Sequence, residues 1–318
     1  MLSIALRNSL RAKTLVRPLL ASPPFTRLMA TAVGLPQPQT KAPKMLSATA
    51  KPSVATEDTP PVVHFKSQQK TIHPLDAPSA TPEYLLPHTV WDEEAVNAVT
   101  VTHKPPKKIT EHLAYRLVMT MRTGFDIVSG YYFGRLSENG WVIRMTFLET
   151  VAGVPGMVGA MVRHLKSLGY MRRDYGWIHT LLEEAENERM HLMVALQMKK
   201  PGLIFRSGVL LTQGLLLPVY TCLYLLSPSF CHSFVGYLEE EAVKTYTKWI
   251  AEIDAGHLPK FANAPAPPVA IRYWELNENA TIRDMLLSVR MDEAHHREDN
   301  HQFSAMQHND DNPFPKGY

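Results

Sequence analysis

Glu188-Arg189-Met190-His191 and Glu293-Ala294-His295-His296 are two copies of one pattern, a Glu and a His three residues apart in stretches of helical periodicity. On a helix, positions i and i+3 lie on one face, one turn apart. A carboxylate and an imidazole so placed can grip one metal ion, and two copies predict two ions. Completing the cage takes two further helices that each turn a lone Glu inward, the ligand arrangement of di-metal carboxylate four-helix bundles.

The flanking segments supply both. A first helical pattern runs from Thr110, an N-cap before Glu111, to about residue 129. A second runs from Gly140 to about residue 168, where Val142, Met145, Glu149 and Ala152 recur at helical spacing and Glu149 is the sole acid on the stripe. The third, from Arg172 to Met198, has the stripe Trp177, Leu181, Glu184, Glu188, His191, Ala195 and Met198, and Lys199-Lys200-Pro201-Gly202 ends it. Past residue 226, a helix from Ser233 to about residue 255 carries three consecutive acids. Glu239 shares a stripe with Ala242, Val243, Tyr246, Trp249, Ile250 and Ile253, whereas Glu240 and Glu241 share faces with Lys244, Thr247 and Lys248. That geometry singles out Glu239 as the inward acid, with Glu241 at a cavity rim. The last helix, Thr281 to about residue 302, has the stripe Ile282, Met285, Val289, Glu293 and His296.

An unpaired ionised carboxylate in a core is very costly, so Glu149, Glu188, Glu239 and Glu293 need cations or protons. Four carboxylates balance two divalent ions in formal charge. Oxygen and imidazole donors suit iron or manganese, and no thiolate favours zinc. Glu184, one turn before Glu188, competes for a ligand position but reads better as a partner that orients one.

Composition narrows the rest. Eight of the 33 basic residues and none of the 30 acids fall in residues 1–56, so the remainder holds 25 basic against 30 acidic side chains. A basic, nucleic-acid-binding body is excluded on that count. Cys222 and Cys231 are too few for a disulfide framework and read as small apolar residues. Residues 1–30, rich in Arg, Ser, Leu and Ala and free of acid, have the composition of a mitochondrial transit peptide, with a chloroplast address as the rival. Fifteen of the 25 prolines lie in residues 1–106, which predicts a disordered tail and extended arm over residues 31–105, the latter around Pro87-His88-Thr89-Val90-Trp91. The helical body is expected over 106–303 and a polar tail over 304–318.

Residues 208–226 (GVLLTQGLLLPVYTCLYLL) carry no charge and reach the lower length limit of a membrane span, but Gly214 and Pro218 interrupt them. Residues 150–162 are also uncharged, and Arg163, His164, Lys166, Arg172, Arg173 and Arg206 edge the two segments. Apolar faces edged by cations predict helices lying in one leaflet, a monotopic attachment; a buried soluble helix is the alternative.

Leu148-Glu149-Thr150, Asn187-Glu188-Arg189-Met190-His191-Leu192, Leu238-Glu239-Glu240-Glu241-Ala242 and Arg290-Met291-Asp292-Glu293-Ala294-His295-His296-Arg297 resemble the four signature segments of the mitochondrial alternative oxidases, in order, between about Thr110 and Phe303. The resemblance implies an all-α, ferritin-like four-helix bundle holding two iron ions, with additional apolar helices for monotopic attachment to the matrix face of the mitochondrial inner membrane. It implies a cyanide-insensitive ubiquinol oxidase that consumes two ubiquinols per O2, gives two waters and pumps no protons. Tyr246 points almost the same way as Glu239; by spacing alone it is a core tyrosine, and the resemblance makes it catalytic. Asn187 and Asp292 join, by resemblance, a hydrogen-bond network around the ligands. Arg144, five residues before Glu149, reads either as a headgroup-facing cation or as a partner for a quinol oxygen. Leu148, Leu238, Ala242 and Thr245 match family positions that line the quinol pocket, as do Arg122 and Asp126. The arm lacks the regulatory cysteine of plant members, so thiol or 2-oxo-acid control is not expected. A homodimer through the second and third helices, with His164 at its interface, is the expected assembly. Rival readings are a plastid-type plastoquinol terminal oxidase, a di-iron quinone-biosynthesis hydroxylase and a ferritin-like iron store.

Overall fold

The structure, a computed structural model, describes residues 86–316. The leader expected over residues 1–30 and the tail up to residue 85 lie outside the described residues. Residues 86–92 are irregular and lead into a short helix α1 (Glu93–Ala98), capped by the Asp92 carboxylate, which accepts from the Ala95 amide at 2.7 Å. The long helices follow: α2 (Ile109–Val128), α3 (Glu138–Tyr170), α4 (Trp177–Met198), α5 (Leu203–Leu226) and α6 (Pro228–Asp254). A second short helix, α7 (Pro268–Tyr273), precedes α8 (Ile282–Ala305), and no strand occurs among the described residues.

Local chemistry sets the ends. Ser137 caps α3, its hydroxyl accepting from Gly140 at 3.2 Å, so the helix starts two residues before the expected Gly140. The helix expected from Arg172 starts instead at Trp177, because Tyr175 (φ 70°) and Gly176 (φ 91°) turn the chain left-handed just before it. α5 runs unbroken through Gly214 and Pro218, which the sequence had suggested would interrupt it. The chain then turns at Ser227, whose hydroxyl caps α6, and Pro228 occupies the first helical position. That pair starts α6 five residues before the expected Ser233. Thr281 and Asp284 form a capping box at the start of α8.

α3 packs along α4, and α6 along α8; α2 lies on α6, and α5 on α3. The centre of the α3–α4–α6–α8 bundle is filled by Met145, Met190, Val194, Ile250, Met285, Leu286 and Val289, with Trp141 stacked on Trp249 at 5.2 Å. Burying a side chain of this size contributes about 1.5–3 kcal/mol. Residues 308–314 fold back over the start of α4, where Trp177 donates to the Asp310 carbonyl (2.9 Å) and Asn312 to Thr180 (2.7 Å). Cys222 is exposed, Cys231 is buried, and both are free thiols.

The outer apolar surface lies mainly on α5, with further exposed apolar side chains on α2 and α3. Ile204 is 90% exposed and Leu226 82%, with Leu210, Leu211 and Leu215 between them, and α2 exposes Ile109, Leu113, Met121 and Val128. α3 and α5 are both long and apolar enough to cross a membrane by composition, but half of the α3 window is buried in the protein and only 17% of the α5 window. Residues 150–162, expected among the lipid-facing set, therefore divide. Val158, Ala160 and Val162 are core, while Met157 and Met161 remain outside. An uncharged stretch suits a bundle interior as well as an outer apolar face, and this one serves as both.

α3 and α4 approach closely at Gly156, where an added Cβ would meet the Leu181 carbonyl oxygen at 2.7 Å. Backbone cannot yield as a flexible side chain does, so Gly156→Ala should destabilise the fold by about 1–3 kcal/mol. Thermal unfolding of the metal-free protein checks this; an unchanged midpoint would show that the two helices separate at no cost.

Candidate metal centre

The four bundle helices carry their acids to one point. Glu149 comes from α3, Glu188 and His191 from α4, Glu239 from α6, and Glu293 and His296 from α8. All are buried. One ligating atom each from Glu149, Glu188, His191 and Glu293 falls within 4.8 Å of all the others. His296 stands at the edge of this group, with Nδ1 2.8 Å from Glu188 Oε1 and 4.0 Å from Glu293 Oε2. Glu239 faces the same group, where the charges of Glu293 and Glu188 act on it.

These atoms converge without satisfying one another. Glu149 Oε2, both oxygens of Glu188, His191 Nδ1 and His296 Nδ1 are buried and make no hydrogen bond. The short His296–Glu188 contact lacks hydrogen-bond alignment, so both groups aim at shared space rather than at each other. His191 Nδ1 stands 3.4–3.6 Å from Glu293, Glu188 and Glu149. Orphaned buried donors and acceptors on this scale demand an explanation, and hard oxygen and imidazole donors around one point fit iron or manganese.

Electrostatics agree. Burial, reinforced by the charges of Glu188 and Glu293, pushes Glu149 up to about 8. Burial and the charges of Glu293 and Glu188 raise Glu239 well above the carboxylate range. Burial acts against the charged form of His296, but contact with Glu188 outweighs it and lifts the imidazole to about 10. Burial opposes the charge of Glu188 as well, yet His191 and His296 bring it well below its ordinary value. Without a metal, protons stand in for cations.

Asp292 orients the site. Its carboxylate accepts from the indoles of Trp91 (2.5 Å) and Trp274 (2.8 Å) and from the Asn187 amide (2.9 Å). His191 Nε2 lies 3.1 Å from the same Oδ2. Burial opposes its charge, but His191, Trp91 and Asn187 keep Asp292 below the ordinary range, so it accepts and His191 Nε2 donates. Nδ1 is then the nitrogen turned to the cluster; burial opposes charge on the ring, but Asp292, Glu149, Glu188 and Glu293 raise His191 well above its ordinary value, so Nδ1 keeps a proton that a metal would replace. Asn187 also donates to the Tyr273 hydroxyl at 3.0 Å. Tyr246 donates to Glu149 Oε1. Glu184 is buried and accepts from Asn300 at 2.9 Å; Asn300 Oδ1 in turn pairs with His232 Nδ1 at 3.0 Å.

Arg144 is 2% exposed, which rules out a headgroup-facing role. It donates to Asp126 and to Ser129 (2.8 Å) and stacks on Phe125 and Tyr131, while its Nε remains buried without an acceptor. Asp126 also takes Arg122 Nε at 2.7 Å, and Arg122 reaches Glu241 at 2.9 Å. Thr245 is buried and bonds the Glu241 carbonyl at 2.8 Å; Leu148, Leu238 and Ala242 are half-buried. The helical face that singled out Glu239 misjudged its neighbours: Glu240 and Glu241 are buried too, Glu240 against the arm and Glu241 against α2. Trp91 and Trp274 were not identified as site residues, for neither sits in a long periodic helix.

Metal uptake would displace the protons that these surroundings favour on Glu149, His191 and His296. Ferrous iron should therefore release protons on binding at neutral pH, and its affinity should fall as pH is lowered from 8 to 6. Titration calorimetry in buffers of different ionisation enthalpy reads both; pH-independent uptake without proton release would contradict the assignment.

Comparison with known proteins agrees with this construction. Residues 91–305 match the family model described as alternative oxidase. The chain is 50% identical over 228 residues to the mitochondrial alternative oxidase of Trypanosoma brucei brucei, covering 70% of this chain and 69% of that one. It is 48% identical over 239 residues to the mitochondrial alternative oxidase of Emericella nidulans, 71% of this chain and 68% of the other. A third relative, from Aspergillus niger, is 47% identical over 243 residues, 73% of this chain and 69% of its own. With the match running from the arm through α8, across every helix that supplies a buried acid, the chain belongs to the alternative oxidase family.

Proposed function

We propose that the chain is a mitochondrial ubiquinol:oxygen oxidoreductase working at the matrix face of the inner membrane. It oxidises two ubiquinols for each O2 reduced to two waters, without moving protons across the bilayer and without inhibition by cyanide. The observation that carries this reading is the set of converging, unsatisfied buried ligands in a chain of this family. Glu149, Glu188, Glu239 and Glu293, with His191 and His296, would hold two iron ions, which would pass electrons from quinol to oxygen. The names of the relatives support the mitochondrial address.

The residues around the centre have separate tasks. Tyr246, hydrogen-bonded to Glu149, is placed to move a proton and an electron at its hydroxyl. Asn187 and Asp292 hold His191 in orientation. The apolar faces of α2 and α5 support attachment to one leaflet, and quinol arriving from lipid meets α2 first. Arg122 and Asp126 lie on that helix beside the exposed Met121 and Ile127. Behind them Arg144 offers its unpaired Nε to a quinol oxygen. Leu148 and Thr245, each immediately before Glu149 and Tyr246, together with Leu238 and Ala242, would line the path between. Assembly as a homodimer belongs to the same proposal; Met157 and Met161, exposed on α3 about two turns and one turn before His164, supply an apolar face for it.

Two substitutions separate chemistry from binding. Tyr246→Phe should keep its iron and lose turnover by about a hundredfold or more. Arg144→Lys keeps a cation beside Asp126 but removes the Nε donor, and should raise ubiquinol KM by about ten- to a hundredfold. Steady-state oxygen uptake, with iron measured on the same samples, checks both. Parent rates in Tyr246→Phe would remove its catalytic role, and an unchanged KM in Arg144→Lys would place quinol elsewhere. A hydroxylated ring among the products would favour the hydroxylase reading.

A further inference from the structure

Glu240 follows Glu239 on α6 and is 1% exposed, yet no role in the centre accounts for it. Its carboxylate accepts from the Lys104 backbone amide at 2.9 Å and pairs with His103 Nδ1 at 2.6 Å and His301 Nε2 at 2.9 Å. Burial opposes its charge, but the hydrogen bonds from His301, Lys104 and His103 hold it below the usual carboxylate range. The arrangement is built into the bundle. A Cβ on Gly236, one turn before Glu240, would lie 2.6 Å from His301 Nδ1, so the glycine opens the slot in which His301 reaches the acid. Lys104 secures the arm on the far side, its ammonium 3.2 Å from the His301 carbonyl oxygen and 3.8 Å from Glu111 of α2. His103 itself is 39% exposed and packs beside Tyr115 and Tyr237.

Adjacent residues on a helix point about 100° apart, so fixing Glu240 fixes the rotation of α6 and with it the aim of Glu239. The other end of the same arm does the matching thing on α8, where Trp91 holds Asp292, the residue before Glu293. The arm thus grips the immediate neighbour of one candidate ligand on each of two helices. We propose that His103 is a positioning residue for the metal centre, acting through Glu240 on Glu239, so that docking of residues 91–104 and uptake of metal favour each other. This rests on the metal reading of the site and is independent of which substrate the centre oxidises.

The test uses the full chain and anaerobic ferrous iron. His103→Ala should bind iron about tenfold more weakly, the ordinary effect of losing a group that orients a ligand. His103→Asn, whose amide donates from nearly the position of Nδ1, should restore most of that affinity. By reciprocity, iron should slow amide hydrogen exchange across residues 93–104 in the parent chain, and slow it less in His103→Ala. Parent affinity in His103→Ala, failure of Asn to improve on Ala, or arm exchange indifferent to iron in the parent chain would each overturn the coupling. The last measurement needs no variant to fold. A parent chain that takes up no iron would instead strike at the metal centre itself.

Discussion

Four carboxylates buried at one point are the constraint on which the rest of this structure depends. Glu149, Glu188, Glu239 and Glu293 lie inside a bundle whose surroundings are Trp, Met, Ile and Val. In such a medium their mutual repulsion and desolvation would together exceed the margin by which a domain is stable. The protein answers with compensation drawn inward: two histidines and protons where no metal is bound, and, on the proposed function, two divalent ions in their place. Four long helices are the economical scaffold, because each can deliver one acid to the axis while its remaining stripe packs the core.

The constraint spreads outward through the groups that hold the ligands in place. Asp292 is a fifth buried acid, tolerable because two indoles, an amide and an imidazole converge on it. Glu240 is a sixth, satisfied by His103, His301 and a backbone amide. Both compensations draw on residues 91–104, so the arm that carries α1 supports the cluster. On the side of Glu241 charges alternate between α2, α3 and α6 through Arg122, Asp126, Arg144 and Glu241, and the Nε of Arg144 is left without an acceptor.

Much of this was legible in the chain because the site is written on periodic helices. The stripes through Glu149, Glu188, Glu239 and Glu293 needed only a helical repeat, and those residues are buried and brought together. What escaped notice lacked that repeat. α1 and α7 are six residues each, too short for a stripe. The start of α4 was hidden by Tyr175 and Gly176, whose left-handed backbone no hydrophobic pattern records. Glu240 read as part of a lysine-bearing face and Glu241 as a cavity rim because a helical face is judged against one core, while α6 has the bundle on one side, the arm on another and α2 on a third. His103 lies in a segment with no pattern at all; the only clue in the chain was the surplus of acid in Glu239-Glu240-Glu241. The exposed apolar residues were half legible, since absence of charge marks α5 and the half-buried α3 alike.

The most direct test is oxygen uptake by membranes from cells expressing the chain, supplied with a short-chain ubiquinol in the presence of cyanide, beside an otherwise identical Glu188→Ala sample. Glu188 lies within 3.5 Å of both His191 and His296. Cyanide-resistant uptake that disappears in Glu188→Ala is the predicted result. Uptake that persists at the parent rate in Glu188→Ala, or a parent chain that binds iron but consumes no oxygen with ubiquinol, would contradict the account.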